Sequence, residues 1–276
     1  MAQWQFWVDR GGTFTDLVAC TPEGDLRTHK LLSENPEQYK DAAVQGIRDL
    51  LGLGAEEDIP PGVIHSVKMG TTVATNALLE RKGEPTVLVT TAGLEDLLRI
   101  GYQNRPRLFD LHIRLPELLY QQVIGADERL DAKGTVLTPL DQKGLRAEMQ
   151  AAYDAGLRSV AIAFLHAYRF PAHEVIAGAI ARDIGFSQVS LSHVASPLIK
   201  LVGRGDTTVV DAYLSPVLRR YVGQVRDALG PAISAQARLM FMQSNGGLAD
   251  ADFFEGKDAV LSGPAGGVVG MVRSAE

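Results

Sequence analysis

Apolar residues in this chain gather into short runs broken at regular intervals by glycine, acids and hydroxyl residues. The first run, Phe6 to Val8, stops at Asp9, turns through Arg10-Gly11-Gly12-Thr13 and leaves through Phe14 to Ala19, with Asp16 between apolar neighbours. Two such runs joined across paired glycines predict a β-hairpin. Leu26 to Leu32 predicts a further short strand. Ala42, Ala43, Ile47, Leu50 and Leu51 then recur at helical spacing, and Gly52 and Gly54 stop that helix. Val63 to Met69 is a strand running into Gly70-Thr71-Thr72, which opens a helix with Val73, Ala77 and Leu78 on one side. After Gly83, the β-branched run Thr86 to Thr90 leads to a helix near Leu94. Strand, helix and strand joined by short connections imply parallel pairing.

The second half keeps the alternation of strand and helix. Gly101 to Pro116 is irregular, and Val123-Ile124, with turns at Gly125 and Gly134, predicts a small inserted hairpin. A helix follows from Asp141 to Ala155. Val160 to Leu165 is apolar without interruption, as a strand covered on both faces would be. Pro171 starts another helix, and Val189 to Leu191 another strand. From Asp206 the residues Val210, Leu214, Val217, Leu218, Tyr221 and Val225 line one face of a long helix, which Pro216 should kink or restart. Arg238 to Gln243 is a strand, and Ala259 to Leu261 is read as a strand entering a helix of small residues, Gly263 to Gly270. The fold class is therefore α/β, with mixed sheets flanked by helices. A soft boundary falls between Ala195 and Val202.

Composition narrows the partners. The 276 residues carry a net charge of −6, with 46% hydrophobic and 22% charged residues, ordinary for a globular chain. No basic patch or Lys/Arg run points to nucleic acid or a membrane surface, and no apolar stretch is long enough to cross a bilayer. Cys20 is the single cysteine, so no internal disulfide forms, and the six histidines show neither HxH nor HExxH spacing. A cytoplasmic location and small-molecule or subunit partners are the expectation.

Three stretches carry candidate chemistry. In the first hairpin, Gly11 and Gly12 can adopt positive φ and let backbone amides approach an anion, Thr13 and Thr15 add hydroxyls, and Asp9 can hold hydrated Mg²⁺ against phosphate oxygens. Asp16 supplies a second acid. A plain surface hairpin is the competing reading. The second stretch, Lys68 to Asn76, could hold a phosphate or carboxylate through Thr71, Thr72 and Asn76, or simply cap a helix. The third, Arg99, Gln103, Asn104, Arg105 and Arg107, suits an acidic substrate, or is a solvated loop or subunit contact. Gly203-Arg204-Gly205-Asp206 reads equally as a polar turn near a ligand and as the loop before a helix.

The acid-Gly-Gly-Thr hairpin resembles the first phosphate loop of the superfamily that contains sugar kinases, actin and the heat-shock chaperone ATPases. The runs DRGGTFTD, MGTTVATNALLERKGEPT, IGYQNRPRLFDLHI, VGRGDTTVVDAYLSP and LSGPAGGVVGM, together spanning nearly the whole chain, resemble the hydantoinase A/5-oxoprolinase family. That resemblance implies an actin-like (ribonuclease H-like) ATPase fold, incomplete here, using ATP and Mg²⁺. It implies residues 1–195 as an N-terminal domain with the first phosphate loop, and 196–276 as the start of a hydantoinase A-type domain ahead of a second loop.

The activity implied is opening of the lactam of 5-oxo-L-proline, or a related cyclic amide, to L-glutamate with ATP hydrolysis, through phosphorylation of the amide carbonyl. Asp9 would bind the metal, Arg10 would neutralise charge developing in transfer, and Gly11, Gly12 and Thr13 would hold phosphates, with Thr15 and Asp16 supporting the loop. Thr71, Thr72, Asn76, Arg99 and Arg105 would contact substrate. The partner implied is the remainder of a longer enzyme, including a hydantoinase B-like half, without which the piece would be inactive. Apolar surface left uncovered would favour a homo-oligomer. ATP-dependent hydantoin cleavage, ketone carboxylation and a non-catalytic scaffold are the alternatives.

Overall fold

The computed structural model describes residues 3–54, 57–103, 107, 109–234 and 236–275. Contacts divide the chain into two compact units, one made of the residues up to Lys82 together with those from Val217 onward, the other of Gly83–Pro216. The first unit is thus discontinuous in sequence, a grouping that differs from the division at 195/196 drawn from family resemblance.

The first unit opens with β1 (Trp4–Arg10), β2 (Phe14–Cys20) and β3 (Leu26–Leu32), an antiparallel meander. Alternation sends Phe6, Val8, Leu17 and Ala19 inward, and α1 (Ala42–Leu51) covers them with Ala43, Val44 and Ile47. The Asp41 side chain caps α1 by accepting the Val44 amide at 3.0 Å, and Gly52, at φ +74°, ends it. The helix sits close because Gly46 has no side chain: a Cβ there would lie 2.5 Å from Leu17 Cδ1. Then β4 (Ile64–Thr71) pairs parallel with β1 and feeds α2 (Val73–Leu79).

The second unit contains β5 (Thr86–Thr91), α3 (Leu97–Ile100), β6 (Tyr120–Ala126), β7 (Arg129–Leu130), β8 (Val136–Thr138), α4 (Gln142–Asp154), β9 (Ser159–Ala163), α5 (Ala172–Ile184), β10 (Gln188–Leu191) and α6 (Ser192–Ala195). Its sheet runs β10-β9-β5-β6 with every pair parallel. Val123 and Ile124 do not form the small hairpin expected of them; they belong to β6, the edge strand beside β5. The hairpin is β7–β8, a few residues on, turning at Gly134.

Pro216 does not restart the long helix. Instead α7 (Leu201–Leu229) is continuous, begins five residues before Asp206, and carries Pro216 inside it. A proline strips the carbonyl four residues back of its hydrogen bond. Here that carbonyl, Ala212 O, accepts the buried Ser159 hydroxyl at 2.6 Å, and the next one, Tyr213 O, accepts the Glu84 amide at 2.9 Å. The lost helical bond is replaced from outside.

The chain returns to the first unit through α8 (Pro231–Ser234), β11 (Arg238–Met242), β12 (Leu248–Asp250), a 3₁₀ turn at Ala251–Phe253, α9 (Gly256–Ala259) and α10 (Ser262–Ala275). The sheet of this unit is β12-β11-β4-β1-β2-β3, parallel across β11-β4-β1 and antiparallel at both flanks. Ala259 to Leu261 is not a strand: the chain passes there from α9 into α10. A three-residue apolar run does not distinguish strand from helix, and side-chain contacts hold the corner, Ser244 Oγ taking the Leu261 amide at 3.0 Å and Ser262 Oγ lying 3.0 Å from Ala259 O. Along α10, Val268, Met271 and Val272 are exposed.

Candidate functional site

Three turns of the first unit meet where β1 and β4 end. In the hairpin, Asp9 stands opposite Asp16 and Arg10 opposite Thr15. Because side chains alternate, Asp9 and Asp16 project from the outer face of the sheet while Arg10 and Thr15 turn inward. Asp16 is held by Lys30, 2.9 and 3.1 Å from its two oxygens. Asp9 makes no hydrogen bond or ion pair among the described residues, and on its other side stands Gly70, where a Cβ would come within 3.3 Å of Asp9 Oδ1. The carboxylate is free.

Neither glycine of the loop has positive φ, contrary to expectation. Their smallness serves packing instead. A Cβ on Gly11 would press to 3.0 Å from Phe14 O, and one on Gly12 would stand 3.7 Å from Asn76 Nδ2. The loop is fastened from below by Ser33, whose amide donates to Thr13 O at 2.9 Å and whose hydroxyl donates to Gly11 O at 2.7 Å. Thr15, fully buried, lies 3.0 Å from the same hydroxyl. Gly12 and Thr13 stay exposed above this support.

The β4–α2 turn is tied to the hairpin. Thr72 donates its amide and its hydroxyl to Arg10 O, at 3.2 and 3.3 Å, and Asn76 Nδ2 reaches Thr72 Oγ1 at 3.4 Å. Thr72 and Asn76 therefore flank Gly12. Thr71 is buried, its hydroxyl accepting the Val73 amide at 3.2 Å. The start of α10 closes the third side: Ser262 Oγ donates to Thr71 O at 2.9 Å, and Thr75 Oγ1 donates to Val260 O at 2.6 Å.

Arg10 faces the other way. Its guanidinium carbon lies 4.8 Å from the centroid of the Tyr221 ring, and Nε is buried without a hydrogen-bond partner among the described residues. It borders a cavity of about 690 Å³ with Ser33, Asn35, Tyr39, Lys40 and Asp227. Burial pushes the Tyr221 hydroxyl far above the usual tyrosine range, Asp41 adds to the rise, and the charge of Arg10 opposes it. Arg99 belongs to the second unit, at the end of α3. Arg105 lies outside the described residues.

Gly203-Arg204-Gly205-Asp206 is the opening of α7 rather than a loop. Arg204 is completely buried and donates to Phe164 O, Leu165 O, Leu198 O, Ile199 O and Ser192 Oγ. Burial lowers its pKa, and the charge of Glu174 opposes that fall. No motif marked Ser33, the support of the loop, since a lone serine after a strand carries no sequence signal.

The residues at the strand ends suit a phosphate chain with a divalent ion. The loop is cleared of side chains where an anion would lie, and Asp9 is one unpartnered carboxylate. Among the described residues no three His, Cys, Asp or Glu groups gather as a metal cage, and Mg²⁺ needs none: it keeps waters and takes one or two carboxylates beside phosphate oxygens.

Residues 5–185 match the family model for the hydantoinase/oxoprolinase N-terminal region, and residues 204–276 match the hydantoinase/oxoprolinase model. A 5-oxoprolinase of Dictyostelium discoideum is 42% identical over 301 residues, covering 98% of this chain and 24% of its own length. The crystal structure of an ATP-dependent caprolactamase from Pseudomonas jessenii superposes with a TM-score of 0.77 at 32% identity, over 95% of this chain and 39% of that one. A nucleotide-free acetone carboxylase superposes with a TM-score of 0.78 over 97% of this chain and 40% of its own; at 23% identity it shows the fold alone. The chain thus spans about a quarter of the length of the 5-oxoprolinases it matches.

Proposed function

Because the chain belongs to the hydantoinase/oxoprolinase family, we propose that it is the phosphate-binding part of a longer ATP-dependent enzyme that opens the lactam of 5-oxo-L-proline to L-glutamate. The observation that carries this reading is the free Asp9 carboxylate beside a loop cleared of side chains. Gly12 presents its backbone amide to the phosphates, with Thr13 adding its hydroxyl, while the Gly11 amide closes the turn by donating to Phe14 O at 3.0 Å. Asp9 holds Mg²⁺ directly or through water. Ser33, Thr15 and the Asp16–Lys30 pair keep the loop in place, so no reorganisation is needed when charge develops. Arg10 acts from beneath the loop as a fixed positive charge, and Thr72 and Asn76 close its flank. A five-membered lactam is an unstrained, resonance-stabilised electrophile; MgATP, when bound, supplies the phosphoryl group that activates its carbonyl toward water.

The wider enzyme, its hydantoinase B-like half and its location in the cytoplasm belong to the same proposal. The quarter-length match and the exposed apolar residues of α10 support a partner covering this chain. No helix among the described residues is long and apolar enough to cross a membrane. A second reading, another cyclic amide, is favoured by the 34% identity to the caprolactamase alpha subunit.

The test follows ADP and glutamate release together in an enzyme of the relatives' full length that contains this chain. Matched release dependent on 5-oxo-L-proline is expected. Asp9→Asn should lower ATP turnover by about 10²-fold or more with an unchanged melting temperature, because the side chain is exposed and makes no hydrogen bond or ion pair among the described residues that folding would lose. Unchanged turnover would remove Asp9 from the metal. ADP release that responds to caprolactam instead of oxoproline would replace the substrate and keep the loop.

A further inference from the structure

The second unit has a cavity of about 340 Å³ that the phosphate loop does not explain. Leu98, Leu119, Val202 and Val209 make its apolar wall, and Arg99, Tyr102, Glu117, Tyr120 and Asp206 bring polar groups to it. Tyr120 is 9% exposed, at the start of the edge strand β6, and its hydroxyl has no hydrogen-bond partner among the described residues. Burial raises its pKa, the charges of Asp206 and Asp96 raise it further, and Arg99 opposes them, so Tyr120 is a neutral donor at physiological pH. Asp206 and Arg99 likewise make no hydrogen bond or ion pair among the described residues. Asp206 is an exposed residue overall, yet its carboxyl is enclosed enough for desolvation to raise its pKa.

The fold places these groups deliberately near one another. Arg204 points inward and pins the first turn of α7 to the carbonyls that follow β9. Two residues on, a helix has turned by roughly 200°, so Asp206 leaves the core side and reaches the cavity. Gly205 makes the close approach possible, since a Cβ there would lie 2.9 Å from Leu98 Cδ1.

A cation, a carboxylate and a neutral hydroxyl around an aliphatic wall are the few convergent polar groups of a small-molecule site. We propose that this cavity binds a compact cyclic amino-acid derivative carrying a carboxylate next to a ring N–H. Arg99 receives the carboxylate, Asp206 accepts the N–H, Tyr120 donates to the remaining oxygen, and Leu98 and Val209 cover the ring methylenes. Choosing 5-oxo-L-proline from that class rests on the function proposed above.

The experiment titrates this chain with 5-oxo-L-proline, L-proline, L-glutamate and caprolactam by calorimetry, with MgATP titrated separately. 5-Oxo-L-proline is expected to bind, with caprolactam, which lacks the carboxylate, at least tenfold weaker. Arg99→Ala and Asp206→Asn should each weaken oxoproline tenfold or more and Tyr120→Phe three- to tenfold, with no fall in melting temperature and with MgATP affinity unchanged. Tyr120→Phe keeps the ring and guards against loss of folding. Equal oxoproline affinity in all three variants, or no binding by any of the four compounds, overturns the site. Caprolactam binding as well as oxoproline overturns the role of Arg99. In the full-length enzyme, oxoproline-dependent ATP turnover indifferent to Arg99→Ala sinks this site and leaves the proposed function standing. Binding here without oxoproline-dependent turnover does the reverse.

Discussion

The two sheets use their strands in opposite ways. Along β2 the residues alternate between exposed and buried, whereas every residue of β5 and β9 is buried. Antiparallel strands at the flank of the first sheet leave one face to solvent, and the parallel strands of the second are covered on both. Chemistry follows that difference. In the first sheet a single step along β1 separates outward Asp9 from inward Arg10. In the second, polar groups collect where strands begin or end: Glu128 accepts from Thr91 Oγ1 and from His173 Nδ1, the latter at 2.7 Å, and Glu174 gathers Ser192, His193 and the Phe164 amide. An outer face offers open groups, while a covered sheet must satisfy its polar groups internally or present them at its rim, as Tyr120 does.

The contrast can be broken at several points. Arg204→Met should be the most damaging, costing about 3–5 kcal/mol because it strips five acceptors and leaves Glu174 buried without its neighbouring charge. Lys30→Met, which removes the exposed partner of Asp16, should cost under about 1 kcal/mol. Urea denaturation of the two variants compares them directly, and similar losses would erase the distinction between covered and open polar groups. Next, Ile162→Ala in β9 is expected to cost about 2–5 kcal/mol and Val18→Ala on the outer face of β2 about 0.5 kcal/mol or less. Equal midpoints would mean that the outer face is covered in solution.

The smallest effect concerns pH. Burial raises the folded-state pKa of Asp206 above the ordinary 3.8, so between those values the unfolded chain releases its proton first. Stability from this group is present below the unfolded value and lost as pH rises through the folded one. Asp206→Asn should match the parent at low pH and exceed it at neutral pH by about 0.5 kcal/mol or less. Thermal melts across that window test the sign, and an Asn variant less stable at pH 7 than the parent would show that Asp206 is paired there.

Much of this was legible before any coordinates. The hairpin around Gly11-Gly12 and the uninterrupted run Val160 to Leu165 were written in local patterns, because pairing and two-sided burial impose period two or its absence on the residues themselves. Asp9 and the glycines were readable as a candidate anion-binding turn for the same reason, since the acid and the glycines stand within a few consecutive residues. Where reading failed, a distant group decided. Pro216 looked like a helix break until Ser159, far away in sequence, took up the stranded carbonyl. Arg204 and Asp206 looked alike as polar residues of one turn, yet helical rotation buries the first and opens the second. Ser33 carried no signal at all, since a serine becomes the support of a loop only when the fold places Gly11 O and Thr15 within its reach. Local sequence sets which elements form and which groups stand at their ends. Which of those groups are satisfied, and which are left free to meet a ligand, depends on partners that come together only when the chain has folded.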